Sequence, residues 1–414
     1  VEYLFQLLMT NQVKIEIGET ESANSSVFIL ISLSFAIFLY SSDTLLVGSM
    51  IPVLTKYLDI PISQGGLLIS AYCICAGSVA FLISPFSDQI GFRKLILFGL
   101  LIVCIADFLL CFSTSFSQML ILRSLTGCGA ALILPNVFAA VGYYYPYEKR
   151  GKAVGVIMAA IAAASLVGIP IGTYIAKNLS WQWTYRILSI YAIIPIVLVC
   201  FLLPGIKKKS KDVSKVISFS NYFQSIVNII VSKKSFPVLT CTLLWYAGLH
   251  GLLQYIGVYY FKVHEFDVAH IGLIYMVASA GYLSGTYIGG QLADRLGKKI
   301  VFATATISIT VFLGLFSQFN NQLIAATILI VFWAISFGMA ESSLYALVSE
   351  VSKHTKGAML SINSVFTYLA ISSSTALSAF VLTYYNFAVI ALLCALLAYA
   401  SFVVMRFFVH EQNV

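Results

Sequence analysis

About a dozen times along this chain, a run of roughly 20 or more mostly apolar residues is followed by a short polar turn. That is the length an α-helix needs to cross the hydrocarbon core of a bilayer. The runs lie at about 27–55, 63–85, 95–114, 117–145, 152–177 and 183–204, then at about 237–261, 268–293, 300–318, 321–349, 357–383 and 385–408. Only 10% of residues are charged and 60% are hydrophobic, whereas soluble domains carry roughly 25% charged residues. A soluble core could not take up that much apolar surface. The chain therefore reads as an all-α membrane protein of twelve transmembrane helices. Residues 1–26 form a polar tail, 27–204 a first six-helix bundle, 205–236 a linker and 237–410 a second six-helix bundle.

The bundles are copies of one unit. A charged island, Ser84-Pro85-Phe86-Ser87-Asp88-Gln89-Ile90-Gly91-Phe92-Arg93-Lys94, follows the second run. It returns as Gly290-Gln291-Leu292-Ala293-Asp294-Arg295-Leu296-Gly297-Lys298-Lys299. Asp88 to Asp294, Gly91 to Gly297 and Gly151 to Gly357 are each 206 residues apart. The island glycines, having no Cβ, permit the tight reversal that both islands need.

The basic residues say how the bundle lies. Nineteen of the 24 Lys and Arg residues fall in the two tails, the even-numbered loops and the linker. Lys56, Lys177, Arg186 and Lys262 fall on the other face, and Arg123 lies within a run. Positive residues collect on the cytoplasmic side, so both termini and the linker are expected there, in a cell (inner) membrane. The same placement explains the net charge of +8 without nucleic acid. The linker lysines read as a solvated segment, with anionic lipid as the alternative partner. The polar tail has no basic region followed by a short apolar core, so the first span is expected to act as its own insertion signal. All eight cysteines sit inside apolar runs without metal-type spacing, and read as small packed hydrophobes.

Gly290 to Lys299 resembles the signature after helix 2 of the major facilitator superfamily, Gly-x-Leu-Ala-Asp-Arg-x-Gly-Arg-Lys. The first copy departs from it at Ser84, Gln89 and Phe92. Arg123-Ser124-Leu125-Thr126-Gly127-Cys128-Gly129-Ala130-Ala131 is similar to the family's arginine motif, with Thr126 in place of a glutamine. Gly168-Ile169-Pro170-Ile171-Gly172-Thr173 is similar to the helix 5 antiporter motif of its drug and sugar exporters. Trp181-Gln182-Trp183-Thr184-Tyr185, which follows, looks most like the sugar-efflux branch. The resemblance implies two pseudo-symmetric bundles that rock about a central cavity, with the arginine tied to proton coupling. It also implies that Asp88, Gly91, Arg93 and Lys94, with Asp294, Gly297, Lys298 and Lys299, gate the cytoplasmic side. Pro170 removes a backbone donor, and Gly168 and Gly172 let a neighbouring helix approach.

Charges inside spans are costly and mark function. Here they are Asp43, Asp107, Arg123 and Glu341. Asp107 and Arg123 are each eight residues from position 115, the turn of the hairpin between helices 3 and 4. They are therefore expected to face each other as a static pair, leaving Asp43 to carry a proton. Glu341, on helix 10, which lines the cavity in this family, is the other candidate for proton coupling, with His250 and Gln254 as cavity candidates in helix 7. No cluster of catalytic residues, Walker sequence or phosphate loop appears, which argues against an enzyme and against ATP as energy source. No cofactor or metal is expected. The partners expected are a small organic molecule, drug- or sugar-like, and protons, met by a monomer in the lipid bilayer. Export by proton antiport is the favoured reading. Uptake by proton symport, a lipid flippase and a non-transporting receptor are the alternatives.

Overall fold

The structure, a computed structural model, describes residues 19–83, 86, 90–205, 219–351 and 356–409. Asp88, the linker lysines Lys207 to Lys215, and Lys353 lie outside the described residues. The described chain is helical throughout, with no strand. The helices of the first half are α1 (Glu19–Tyr57), α2 (Leu67–Ile83), α3 (Phe92–Leu110), α4 (Phe116–Tyr144), α5 (Tyr147–Ala163 and Ile169–Asn178) and α6 (Trp181–Leu202). Those of the second are α7 (Ser235–Leu253 and Ile256–His264), α8 (Val268–Leu296), α9 (Lys298–Phe319), α10 (Leu323–Val351), α11 (Lys356–Tyr384) and α12 (Phe387–Phe408). Eleven of the twelve are long and apolar enough to cross a membrane. The remaining one, α3, has 19 residues and includes Arg93, Lys94 and Asp107. Its two basic residues sit at its first turn, where a lipid headgroup region accommodates them.

Three details differ from the sequence reading. Span 5 is interrupted by a π-helical turn at Ala164–Gly168, just before Pro170. Proline has no N–H to give the preceding turn, and the helix takes up the mismatch as a π turn. Span 7 breaks at Gln254 and Tyr255, and Tyr275 of α8 donates to the freed carbonyl of Leu253 at 2.9 Å. The linker contains a short helix, Phe219–Val231.

The repeat is visible in the backbone. Gly91 and Gly297 both take φ 92°, with ψ of 139° and 142°. An L side chain rarely adopts that conformation, so both islands turn the chain by the same glycine device. Arg93 and Lys299, again 206 apart, do the same work in their halves. Arg93 Nη2 donates to the carbonyl of Cys200 near the end of α6, and Lys299 Nζ donates to that of Val409 after α12, at 2.6 Å for the latter. Each charge sits where carbonyls at a helix end are unsatisfied.

The halves meet through α2 against α11, α5 against α8, and α1 against the second segment of α7. Contact concentrates at one face of the bundle, here called the far face; α1 starts and α12 ends at the opposite, near face. At the far face Tyr255 donates to the Ser63 carbonyl at 2.9 Å, and Lys177 pairs with Asp267 at 2.7 Å. A Cβ on Gly272 of α8 would lie 2.0 Å from Thr173 Oγ1 and 3.1 Å from Pro170 Cα of α5. A Cβ on Gly66, 206 residues earlier, would lie 2.0 Å from Tyr255 Oη and 3.0 Å from Thr375 Cγ2 of α11. Both seams thus close on a glycine set against a threonine. Toward the near face the described helices part. A Cβ on Gly151 or Gly155 of α5, or on Gly290 of α8, would meet nothing within 4 Å.

Candidate functional site

Helix α1 organises the interior because its faces meet different partners. Ser42 and Leu46 face α5, where Cβ atoms on Gly168 and Gly172 would come within 2.6 and 2.5 Å of them. The glycine–proline motif therefore serves close packing against the helix that bears Asp43. Tyr40 and Thr44 face the cleft. Thr44 Oγ1 donates to the Tyr40 carbonyl at 2.7 Å, so the Tyr72 hydroxyl donates to Thr44 at 2.7 Å. The Tyr40 hydroxyl lies 3.4 Å from that of Tyr368, across the divide between halves.

Asp43 points the third way, into the first bundle. Its Oδ1 accepts from Arg123 Nη1 at 2.6 Å, with both side chains only 3% exposed. The Arg123 guanidinium also lies 4.9 Å from the centre of the Tyr72 ring, a cation–π contact. This corrects the expected static pair. Arg123 is bonded to Asp43, and Asp107 is the acid left over. Asp107 is fully buried; no protein donor reaches its carboxylate oxygens, and the Asp43 carboxyl lies within hydrogen-bonding reach of it. Its electrostatic neighbours are Asp43 and Arg123. Two acids and one base thus share a dry site.

Among the described residues, Glu341 is the one acid deep within a span of the second half. Tyr246 donates to its Oε1 at 2.8 Å, and Tyr282 donates to its Oε2. The Tyr345 hydroxyl is 3.2 Å from that of Tyr246. Gln254 Nε2 lies 3.0 Å from His250 Nδ1, which makes Nδ1 the acceptor and places the imidazole proton on Nε2. His250 and Gln254 therefore satisfy each other, while the His250 ring stacks on Tyr246.

The sequence reading missed these tyrosines, since aromatic residues are common in membrane helices. One signal was present: Tyr40 and Tyr246 are 206 residues apart. Asp294 and Lys94 are exposed, Arg93 and Lys299 hold helix ends, and Asp294 has no ion pair among the described residues. No group of three or more metal-ligating side chains occurs among the described residues.

Twelve spanning helices in two repeated halves, with charges buried between them, define a multi-pass membrane transporter. The chain belongs to the Major Facilitator Superfamily, whose family model matches residues 33–375. It is 24% identical over 380 residues to an uncharacterized transporter of this type from Bacillus subtilis, YwfA, covering 91% of each chain. It is 26% identical over 336 residues to multidrug resistance protein 2 of the same organism, covering 78% of this chain and 82% of that one. The crystal structure of a D-xylose-proton symporter superposes with a TM-score of 0.76, covering 94% of this chain and 98% of that one at 15% identity. At that identity the likeness is one of fold.

Proposed function

We propose that this chain is a proton-driven exporter of a small organic molecule, working by alternating access as a monomer in the cell membrane. One observation carries the reading: Asp43, Asp107 and Arg123 form a buried group of two acids and one base. Fully ionised, the group has one negative charge in excess. A bare charge in a low-dielectric interior is costly, and one added proton removes it. Arg123 can bond either acid, so the proton belongs on whichever acid Arg123 leaves. Proton binding would thus move Arg123 between α3 and α1, the helix that packs against the second segment of α7 in the other half. The 26% identical multidrug resistance protein and the glycine–proline motif of α5 support export.

The charge distribution supports a cytoplasmic near face, with both chain ends and the linker on that side. The bundle described above is then open to the cytoplasm and sealed outside. In an exporter, this is the state that loads substrate. The island acids Asp88 and Asp294 would act when the near face closes. Purified protein in inverted vesicles tests the reading, with substrates screened under an imposed pH gradient that is then collapsed. Gradient-driven uptake into the vesicles should occur in the wild type and be lost in both Asp43→Asn and Asp107→Asn. Transport that ignores the gradient, or that survives in both variants, would make the protein a facilitator.

A further inference from the structure

The second half holds a buried acid outside the proton group, and its surroundings are of a different kind. Phe337, Glu341 and Tyr345 follow at four-residue steps and so share one face of α10. Exposure rises along that face toward the open near side, and Tyr345 is 40% exposed. The rings around the carboxylate are ordered. Tyr282 stacks on Phe337 with centres 5.2 Å apart and planes at 27°, and Tyr246 stacks on His250 at 5.9 Å and 18°. A carboxylate offers about four acceptor positions, and the two tyrosine hydroxyls use two of them. No Lys or Arg among the described residues pairs with Glu341.

The acid therefore has capacity for a positive partner, and no described protein group supplies one. Tyr246 and Tyr282 turn their hydroxyls to the carboxylate, Phe337 stacks between Tyr282 and Trp245, and this electron-rich cluster, with the exposed ring of Tyr345, is a neighbourhood that attracts cations. Across the cleft, the proton group adds no net positive charge in any state with at most one proton. An anion is repelled here. A neutral sugar would leave the carboxylate without a counter-charge. We propose that Glu341, with the rings of Tyr246, Tyr282, Phe337 and Tyr345, is the recognition site for an organic cation with a flat apolar body. Glu341 is its counter-ion and the rings are its walls. The proposal rests on reading the cleft as the transport path, and it narrows the substrate class of that path. It also moves Glu341 from proton coupling to substrate binding.

The test compares molecules of one shape and different charge, using the full chain in lipid nanodiscs and equilibrium dialysis corrected with empty nanodiscs. The cation N-methyl-4-phenylpyridinium should bind about ten-fold or more tightly than its neutral isostere 4-methylbiphenyl. Biphenyl-4-carboxylate and D-xylose should show no saturable binding. Equal affinity for cation and isostere, or tighter binding of D-xylose, overturns the site, and this comparison needs no variant. Glu341→Gln keeps an acceptor oxygen for one tyrosine and offers an amide N–H to the hydroxyl oxygen of the other, and should weaken the cation about ten-fold while leaving the isostere unchanged. Unchanged cation binding in that variant also overturns the site. Tyr345→Ala removes a ring that touches no carboxylate oxygen and should weaken the cation several-fold. Gradient-driven flux of a neutral solute without cation binding would end this proposal but not the exporter reading. Cation binding without flux in proteoliposomes would do the reverse.

Discussion

The two halves share a scaffold and differ in chemistry. Gly91 and Gly297 make the same turn, Arg93 and Lys299 hold equivalent helix ends, and Gly66 and Gly272 open equivalent seams. Adding 206 to Asp43, Asp107 and Arg123 gives Leu249, Leu313 and Leu329. The image of Glu341 in the first half is Pro135. Duplication has kept the residues that set backbone path and interface. At the charged positions the halves have diverged, one into a buried triad of two acids and a base and the other into a tyrosine-bonded acid. A transporter that moves two kinds of ligand needs two kinds of site on one moving frame, and this asymmetry supplies them.

The sharpest way to break that comparison is to make the first half like the second. Arg123→Leu alone leaves two buried acids without their base and should destabilise the protein by about 3–5 kcal/mol. The triple change Asp43→Leu, Asp107→Leu, Arg123→Leu removes both charge types together. It should recover most of that loss in a thermal unfolding measurement, yet show no gradient-driven transport. Transport by the triple variant would mean that the difference between halves carries no function.

Next in size is a test of the shared seams. Gly272→Ala puts a Cβ 2.0 Å from Thr173 Oγ1 and against the Pro170 backbone, so the far face cannot close without movement. A cysteine placed at Thr375, in the other seam, should then react with a membrane-impermeant reagent from the far side about ten-fold faster or more, a shift of roughly 1.4 kcal/mol in the gating equilibrium. An unchanged rate would separate the two seams mechanically.

A smaller effect sharpens the scaffold equivalence. Arg93→Ala and Lys299→Ala each remove a charged donor from a helix end and should each lower stability by about 1 kcal/mol. The two losses should match within error in parallel unfolding curves. A large inequality would show that one half depends on its cap more than the other.

Much of this was legible in the sequence, and what was not has identifiable causes. The islands, the offset of 206 and the charge asymmetry are one-dimensional patterns, and they predicted the backbone symmetry of Gly91 and Gly297. Counting eight residues each way from position 115 put Asp107 and Arg123 at one level. Depth arithmetic does not fix azimuth, however, and the azimuth of α1 decided that Arg123 bonds Asp43. Pro170 announced a lost donor but not the form the helix would take, a π turn. The break of α7 at Gln254 has no glycine or proline at the break itself. It is held by tertiary contact, through the Tyr275 hydroxyl.

The smallest expected effect lies at the rim of the seams. Lys177 and Asp267 join the halves through side chains that are 44% and 38% exposed. Slight burial pushes the Asp267 carboxyl up, but the Lys177 hydrogen bond, the His270 backbone N–H and the charges of both residues outweigh it and bring it to about 2. A depressed acid stabilises above its unfolded value of about 3.9 and loses that contribution as pH falls toward about 2. Lys177→Ala should therefore cost under about 1 kcal/mol near neutral pH, less in high salt, and nothing below that window. Unfolding curves at several pH values and salt concentrations check it. A larger cost would make this pair a main lock rather than a rim contact.

The unpaired Asp107 also has an electrical meaning. The Asp43–Arg123 pair is a neutral dipole, so carrying it through the membrane field does little work. A bare carboxylate at Asp107 is a gating charge. Moving one elementary charge across the full field is worth about 2.3 kcal/mol per 100 mV. With a proton aboard, the first half reorients without regard to voltage. Without one, the same motion carries up to one charge and draws on the membrane potential. The voltage dependence of a single step, read as a transient current, would thus report which leg of the cycle the proton rides.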